Sequence, residues 1–191
     1  MKKIYYATSN PTKFQEGQQF FKTFLPTIEL EQYGDDVPEI QTLNQEEIAV
    51  RKARKAWEHA QVPILAEDAG VYFTQYHEFP GTLTKFIYKA IGMDGIFKLV
   101  NNGDKAYFQL HLVYYYGKDQ YKVFKGRTDG SIVKPEEFLA PESAPYDDIF
   151  VPEGDDKTYT DLRKEDGLEQ FNFRVKAFNQ FAEWYKNHPT K

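Results

Sequence analysis

Two adjacent carboxylates, Glu67 and Asp68, follow a short apolar run, and two lysines, Lys13 and Lys52, lie in segments with helical character. Carboxylates that hold a magnesium ion, opposite lysines that hold phosphate oxygens, are the groups that attack on a phosphate ester requires. A carboxylate can also orient or deprotonate the attacking water. With Glu47 as a further acid, these residue types predict a phosphate-handling site.

The alternative for each acid is a solvated surface charge or a helix cap. That alternative is weakest for Glu67 and Asp68, because the preceding apolar run is expected to be buried. For Asp148 and for Asp155–Asp156 we favour it. The four histidines show no paired metal spacing, and the sequence has no nucleophile elbow, no Gly-x-Gly-x-x-Gly and no Walker-type phosphate loop.

A strand, a polar elbow and a helix N-terminus are expected to position Lys13. The run Ile4–Ala7 has strand character, and Pro11 suits the first helical position because its missing N–H would have no intrahelical partner. Ser9 or Asn10 is expected to cap the helix. Free N–H groups and the helix dipole favour an anion there, usually phosphate. In isolation the motif is also typical of an ordinary strand-to-helix turn with a solvated lysine.

The next elements are expected to position the acids. A second helix is predicted from Thr42 or Asn44 to His59, with an N-terminal capping pair. The run Val62–Ala66 is predicted to be a strand with the carboxylate pair at its carboxyl end, where ligands bind in open α/β sheets. Because neighbouring side chains of an extended segment point to opposite sides, only one of the pair need face a metal.

The spacing of the hydrophobic residues changes in the second half of the chain. A helix is predicted from Thr84 to Val100, with a break near Gly92 or Gly95. An aromatic strand, Tyr107–Tyr116, then turns back as an antiparallel ribbon. The C-terminal helix is predicted to run from about residue 168 to residue 187.

Composition narrows the class of protein. The 191 residues, 41% of them hydrophobic and 28% charged, indicate one globular domain, and the 17% of aromatic residues predict a ring-packed core. A net charge of −5 argues against binding to a nucleic-acid polymer. The absence of cysteine excludes disulfides and thiolate chemistry and fits a reducing cytoplasm. No apolar run approaches the ~20 residues that span a membrane, so we expect a cytoplasmic protein with no membrane partner.

The motifs occur in the order typical of one enzyme family. Thr8–Lys13 is similar to that family's Thr-(Gly/Ser)-Asn-x-x-Lys. The further matching segments are Glu47–Ala53 (Glu-x-x-x-x-Lys), Leu65–Val71 (Glu-Asp-(Ser/Thr)-Gly-Leu), Phe79–Gly81 (Pro-Gly), Phe124–Val133 (Gly-x-x-x-Gly-x-Ile) and Tyr146–Phe150 ((Tyr/Trp)-Asp-Pro-(Ile/Val)-Phe). Over nearly its whole length the chain resembles the Ham1-like, inosine triphosphate pyrophosphatase family.

The resemblance implies an α/β fold in which an elongated mixed sheet is flanked by helices. It implies two lobes with a nucleotide cleft between them, built by residues 1–191 as a single domain, and a homodimer. The implied reaction is the Mg²⁺-dependent hydrolysis of a nucleoside triphosphate to a monophosphate and pyrophosphate. The implied substrates are non-canonical purine triphosphates such as ITP and XTP.

The resemblance also implies roles for individual residues. The implied phosphate-binding residues are Thr8, Asn10, Lys13 and Lys52. The implied metal ligands are Glu47 and Asp68. The implied catalytic residues are Asp68, as the base for the water, and Glu67, as its support. The remaining implied substrate-binding residues are Tyr146, Asp147 and Arg174, of which the last two lie toward the nucleobase.

The phosphate and metal positions keep the family pattern, but the base-reading positions depart from it. Ala144 and Pro145 replace the family's Phe-Gly pair, Phe173 replaces a histidine, and Leu168 stands where a lysine is common. A lost aromatic stack on the base alone costs roughly 1–3 kcal/mol, and lost hydrogen bonds weaken discrimination further. We therefore expect an altered base preference.

Two other functions stay open at this point. A non-catalytic nucleotide-binding protein of the same fold would not need the metal-holding carboxylates. A partner-binding role for the aromatic strand competes with core packing or a dimer contact. The sequence leaves the true nucleotide open.

Overall fold

The structure, a computed structural model, describes residues 2–34 and 37–188. Its strands are β1 (Lys2–Ala7), β2 (Ile28–Tyr33), β3 (Ile64–Phe73), β4 (Lys105–Gly117), β5 (Gln120–Ile132) and β6 (Phe150–Pro152). Its α-helices are α1 (Pro11–Phe24), α2 (Gln45–Ala60), α3 (Thr84–Ile96), α4 (Tyr159–Lys164) and α5 (Phe173–Asn187). Within the described ranges, no helix has the length and apolar character needed to cross a bilayer.

The six strands form one sheet in the order β2-β1-β3-β4-β5-β6. Strand β1 runs parallel to both of its neighbours, with Tyr6 opposite Gln32 on one side and Leu65 on the other. Strands β5 and β6 pair antiparallel, with Ser131 opposite Val151. Since parallel and antiparallel pairs occur in one sheet, the mixed α/β sheet that the resemblance implied is confirmed.

The chain divides into two compact units. The first consists of Met1–Asp68, Leu110–Gly126 and Arg174–Lys191, and the second of Ala69–Gln109 and Arg127–Phe173. The assignment of residues 1–191 to a single domain stays a prediction.

In the first unit, α2 covers one face of the sheet. Alternate strand residues share a face, and those that face α2 form a buried cluster with three of its alanines. The members of this cluster are Ala7, Ala49, Ala53, Ala56, Ile64, Ala66, Val113 and Tyr115. Continued by one step along β3 and β4, the same alternation brings Asp68 and His111 to this face, beside the N-terminus of α2.

Helices α1 and α5 cover the opposite face of the first unit with aromatic rings. Tyr6 of β1 meets Phe178 of α5 edge-on, with the ring centroids 6.0 Å apart. Phe181 of α5 stacks on Phe21 of α1 at 6.0 Å and lies 5.2 Å from Tyr114 of β4. All five side chains are buried. The predicted ring-packed core is therefore confirmed.

The second unit has its own aromatic core. The ring of Phe108 stacks on Phe173 at 4.9 Å and on Tyr159 at 5.5 Å, and it meets Phe150 edge-on at 4.8 Å. These pairings connect β4, β6, α4 and the first residue of α5. Offset and edge-to-face pairs of this kind add about 0.5–1.5 kcal/mol each to the burial of the rings.

Strand β3 corrects one prediction about the carboxylate pair. It continues through Glu67 and Asp68 to Phe73, whereas the strand was expected to end at Ala66. The pairing with β1 does end at Ala66, because β1 itself ends at the opposite residue, Ala7. The change from apolar to acidic residues therefore marks the end of one strand pairing rather than the end of the strand.

Other boundaries also differ from expectation. Helix α5 begins at Phe173 rather than near residue 168, and the short helix α4 was not expected. Thr158 caps α4 by accepting a hydrogen bond from the Asp161 N–H at 3.2 Å, so the Thr-x-x-Asp pattern was an available signal. Helix α3 has the expected break at Gly92, where φ is 62°, but it ends at Ile96.

Candidate active site

The elbow before α1 has the predicted cap. The Asn10 side chain accepts a hydrogen bond from the backbone N–H of Lys13 at 3.2 Å, and Pro11 lies in the first turn. The Thr8 hydroxyl oxygen accepts from the Asn10 N–H at 3.2 Å, and Gln32 donates to the Thr8 carbonyl at 2.8 Å. The helix dipole places a partial positive charge at this end of α1. The elbow is thus held in place by its own polar side chains and by Gln32 of β2.

Beyond the elbow, the Lys13 ammonium lies 3.0 Å from the carboxylate of Glu67. Glu67 is only 1% exposed, and it also accepts a hydrogen bond from the Tyr6 hydroxyl at 2.5 Å. Arg174, in the first turn of α5, donates to it from Nε at 3.1 Å and from Nη2 at 3.0 Å. Through Nη1 the same arginine pairs with Glu16 of α1. One buried carboxylate therefore ties β1, β3, α1 and α5 together.

The charge state of Glu67 follows from these partners. Burial alone would raise the pKa of its carboxyl, but the positive charges of Arg174 and Lys13 outweigh burial. The pKa of Glu67 therefore lies well below its usual range, and the group is ionised at neutral pH. A carboxylate with this pKa does not exchange a proton at neutral pH. Its position suits it to orient the ammonium of Lys13.

Asp68 lies on the other face of β3, as the alternation predicted, and its surroundings differ. Its Oδ2 atom is buried and has no hydrogen-bond partner within the described parts of the chain. Burial raises the pKa of Asp68 to about 7 against the positive charges of Lys13 and Lys52. The negative charge of Glu39 also raises this pKa. An unpartnered oxygen on a carboxyl that titrates near neutrality is suited to a general base or a metal ligand.

Helix α2 carries the other predicted phosphate and metal groups. The Lys52 ammonium lies 2.5 Å from the carboxylate of Glu39, and the lysine side chain is 14% exposed. Glu47 donates its N–H to the side chain of Asn44 at 3.2 Å, which confirms one half of the predicted capping pair, while the Asn44 N–H donates to the Thr42 hydroxyl. The Glu47 carboxylate pairs with Arg51 at 2.9 Å and is 38% exposed. Glu47 therefore lies on the accessible side of the helix.

Tyr146 and Asp147 belong to the second compact unit. Tyr146 is buried and donates its hydroxyl to the Thr84 carbonyl at 3.1 Å. Burial raises the pKa of this phenol, so it stays protonated. Asp147 is also buried and accepts a hydrogen bond from Nη2 of Arg163 at 2.9 Å. The substrate-binding roles of both residues stay predictions.

The neighbouring acid, Asp148, corrects an expectation. It is 4% exposed rather than solvated, and its Oδ2 accepts the N–H groups of Leu139 and Ala140, both at 2.7 Å. Its Oδ1 accepts the hydroxyl of Thr160 at 2.7 Å. The interpretation as a surface charge or helix cap is therefore wrong for Asp148, because this carboxylate satisfies backbone donors of a loop.

The structure connects several predicted site residues by contact or by electrostatic interaction in the first unit. They are Lys13, Lys52, Glu67, Asp68 and Arg174. The side chains that hold them were not predicted from the sequence: Tyr6, Glu16, Glu39 and Gln45. Tyr6 alone had a usable signal, since its register opposite Leu65 in a parallel pair places it on the face of Glu67.

Comparisons with known proteins show the family of the chain. The Ham1 family model matches residues 4–184. The chain is 35% identical over 188 residues to the dITP/XTP pyrophosphatase of Methanopyrus kandleri, covering 97% of each chain. It is 34% identical to the protein of that name from Pyrococcus horikoshii, covering 96% of this chain and 97% of the relative.

Solved structures share the fold. The Ham1 protein of Staphylococcus aureus matches with a TM-score of 0.78 at 24% identity, covering 97% of this chain and 99% of that one. The HAM1 protein of Coxiella burnetii matches with a TM-score of 0.79 at 21% identity, covering 98% of this chain and 100% of that one. The family match extends over most of the sequence, and relatives above 30% identity cover nearly all of it, so the chain belongs to the Ham1 family.

Proposed function

We propose that this protein is a nucleoside triphosphate pyrophosphatase, which hydrolyses its substrate between the α and β phosphates to a monophosphate and pyrophosphate. The environment of Asp68 carries the proposal: a buried, unpartnered carboxylate oxygen with a pKa of about 7, within electrostatic reach of Lys13 and Lys52. The relatives named dITP/XTP pyrophosphatase support the substrate class. We therefore propose non-canonical purine triphosphates as substrates.

The phosphate chain is proposed to bind at the elbow and the two lysines. The N-terminus of α1 offers backbone N–H groups and the positive end of its dipole to an anion. Lys13 is held beside this N-terminus by Glu67, and Thr8 and Asn10 shape the turn. Lys52 supplies the second positive charge. A triphosphate carries enough negative charge to engage all of these groups together.

Mg²⁺ is proposed to bind at Glu47 and Asp68. Carboxylate oxygens are the ligands that this ion prefers, and the buried Oδ2 of Asp68 is an acceptor without a partner in the described residues. Across residues 2–34 and 37–188, no three metal-binding side chains converge. Magnesium sites often use one or two carboxylates and take their other ligands from water and phosphate. When bound, the ion would neutralise charge on the phosphates and on the leaving pyrophosphate.

Asp68 is the proposed base. Its ionised carboxylate takes a proton from water, the water oxygen bonds to phosphorus, and the anhydride bond breaks with release of pyrophosphate. In the metal-free protein the pKa of Asp68 is about 7, so a useful fraction of the group is ionised at neutral pH while its proton affinity stays high. Glu67 assists by keeping Lys13 in place.

Base recognition is proposed to depart from the family pattern. Phe173, at the position of the family histidine, is 7% exposed and stacked on Phe108, so it offers no hydrogen bond to a base. Leu168 is 6% exposed and carries no charge, and Asp147 is paired with Arg163. These observations support relaxed discrimination among bases.

A product assay tests the proposal. The protein is incubated with Mg²⁺ and each of ITP, XTP, dITP, dUTP, GTP and ATP, and monophosphate, pyrophosphate and orthophosphate are measured. We expect equimolar monophosphate and pyrophosphate from at least the inosine and xanthosine nucleotides. Orthophosphate as the first product, or no turnover of any nucleotide, would overturn the proposal.

A pair of variants makes the assay specific to the site. Asp68→Asn is expected to lower kcat by about 10²–10⁴-fold, the range of general base catalysis, while the protein stays folded. Asp94→Asn, an exposed aspartate on α3, is the matched control and should keep wild-type turnover. Wild-type rates in Asp68→Asn would assign the base to another residue.

The alternative, a non-catalytic nucleotide-binding protein, predicts nucleotide affinity without product. The homodimer and the cytoplasmic location also stay predictions. Light scattering of the purified protein tests the first, and fractionation of cells that express it tests the second.

A further inference from the structure

Tyr6 places a hydroxyl group inside the buried cluster of charges around Glu67. It belongs to β1 and is 0% exposed. Its hydroxyl donates to Oε2 of Glu67 at 2.5 Å. The Lys13 ammonium and Nη2 of Arg174 each lie 3.0 Å from the other oxygen, Oε1. The phenol and the ammonium therefore hold different oxygens of the same carboxylate.

The direction of the hydrogen bond from Tyr6 follows from the charges. An ionised carboxylate only accepts hydrogen bonds, so the phenol must donate its O–H. Burial and the negative charge of Glu67 raise the pKa of Tyr6 against the positive charge of Arg174, so the hydroxyl keeps its proton. Tyr6 therefore acts on Glu67 as a permanent donor.

Packing fixes the place of this hydroxyl, because the Tyr6 ring is held on two sides. Phe178 of α5 meets the ring edge-on, with the centroids 6.0 Å apart. On α1, Gly17 is buried against it, and a Cβ atom added to Gly17 would lie only 3.1 Å from Cε1 of the ring. Glycine is unfavourable inside a helix, and its presence here allows α1 to approach the ring closely.

The bond from Tyr6 limits how the Glu67 carboxylate can turn. The terminal torsion of a glutamate side chain is broad, so its partners must select the orientation of the two oxygens. Nε of Arg174 lies 3.2 Å from Oε1 and 3.1 Å from Oε2 and hardly distinguishes them. Because Tyr6 holds Oε2, Oε1 stays directed at Lys13. An ammonium has three N–H donors, so Lys13 can bond to Glu67 and to a phosphate oxygen at once.

We propose that Tyr6 is a positioning residue for phosphate binding by Lys13. Its hydroxyl fixes the carboxylate of Glu67, and the carboxylate holds the ammonium beside the N-terminus of α1. The inference rests on the proposed function, because it takes Lys13 as a phosphate ligand. Tyr6 lies opposite Leu65 and so on the face of the sheet away from Asp68. Its role is therefore separate from that of the proposed base.

Binding of inorganic tripolyphosphate to the metal-free protein, measured by titration calorimetry, tests this role without turnover. Tyr6→Phe removes the hydroxyl and keeps the ring, and Arg174 still donates to the same oxygen, so the fold should be retained. We expect the dissociation constant to rise about 10-fold, the effect of weakening one hydrogen bond to a charged group. Tyr159→Phe is the matched control and should bind like the wild type. Tyr159 is also buried, but its hydroxyl donates to the Phe171 carbonyl, at 2.7 Å.

The same change in a Lys13→Met background separates positioning from a general loss of structure. Without the ammonium, Tyr6→Phe should weaken tripolyphosphate binding no further, whereas a structural defect would weaken it by the same factor in both backgrounds. Low ionic strength keeps the weaker binding measurable. The inference would be overturned by an unchanged dissociation constant in Tyr6→Phe, by an equal factor in both backgrounds, or by a wild-type protein that does not bind tripolyphosphate.

Turnover of ITP with Mg²⁺ gives a second readout. A ligand that holds the phosphates equally in the ground state and the transition state contributes to KM rather than to kcat. Tyr6→Phe should therefore raise KM about 10-fold with little change in kcat, and a lower kcat at unchanged KM would contradict the positioning role. If the wild type binds tripolyphosphate through Lys13 and Tyr6 but hydrolyses no nucleotide, the proposed function is wrong and the positioning role stands.

Discussion

The buried ion pairs of Glu67 give the sharpest prediction about stability. Glu67→Gln keeps the shape of the side chain but removes its charge. Arg174, itself 7% exposed, then loses this counter-ion and keeps the ion pair with Glu16. Lys13 loses the carboxylate 3.0 Å from its ammonium. In the wild type, Glu67 and Glu16 balance the positive charges of Lys13 and Arg174. The variant therefore leaves one positive charge in this cluster uncompensated.

The loss in the free energy of unfolding that Glu67→Gln should cause can be placed within a range. Removing one partner of a buried ion pair costs about 3–5 kcal/mol, because the remaining charge is buried without compensation. The Glu16 contact retains part of that compensation for Arg174, so we expect about 3 kcal/mol. For a chain of this size, each kcal/mol lowers Tm by about 2–4 °C. A decrease in Tm of about 6–12 °C follows.

Urea unfolding of wild type and Glu67→Gln at several pH values measures this cost. Glu67 has a folded-state pKa below its unfolded value of 4.5. The stabilisation by its charge is therefore fully present above about pH 4.5 and is lost as the pH falls through the folded-state pKa. The difference in the free energy of unfolding between wild type and variant should be largest near neutral pH and shrink in acid.

The double variant Glu67→Gln/Arg174→Met supplies the control. The double variant also removes the Arg174 charge that Glu67→Gln leaves without its main partner. This protein should therefore be more stable than the Glu67→Gln single variant. A Glu67→Gln protein within about 1 kcal/mol of wild type near pH 7 would contradict the reasoning. It would also be contradicted by a double variant whose loss in the free energy of unfolding equals the sum of the losses in the two single variants.

Further predictions concern the proposed reaction site. In metal-free protein, Asp68→Asn should be more stable than wild type by about 2–4 kcal/mol near pH 8 and equally stable near pH 4, because the cost of ionising a buried acid sets in between its unfolded and folded pKa values; equal stability at both pH values in urea unfolding would refute this. Glu39→Gln removes the partner of Lys52 and a negative charge that raises the pKa of Asp68. The acid limb of the kcat–pH profile should therefore move to lower pH, and an unmoved limb would contradict the assignment of the base. Ala144→Phe should lower KM for purine triphosphates about fivefold or more by restoring a ring for the base to stack on. Unchanged KM values across a purine panel would place the base elsewhere.

Local parts of the site were predictable because their causes lie within a few residues. Asn10 and Asn44 each accept the N–H three residues ahead, a pattern that the sequence displays directly. The opposite environments of Glu67 and Asp68 follow from strand alternation alone. In each case the physical cause and its effect lie within the same turn or strand, so that residue order was enough to predict them.

The partners that set the electrostatics were not predictable in this way. Arg174 reaches Glu67 across 107 residues of sequence and Glu16 across 158. From the sequence alone, several acids are equally suitable partners for the Arg174 guanidinium. The packing of α5 against α1 selects Glu67 and Glu16 among them. The resemblance assigned Arg174 toward the nucleobase, and that role stays a prediction, but its contacts now also give it a part in holding Lys13 through Glu67.

The adjacency of Glu67 and Asp68 explains how the candidate site contains both a permanent anion, Glu67, and the proposed base, Asp68. Two carboxylates side by side on one face would repel each other and raise each other's pKa. Strand alternation separates them, so that Glu67 takes the strong positive partners, and Asp68, whose Oδ2 is buried, has a raised pKa. Lys13 interacts with both, so the anion that holds the lysine also tunes the base. Any substitution that displaces the Lys13 ammonium should therefore raise the pKa of Asp68, even though Glu67 itself never titrates in the working range.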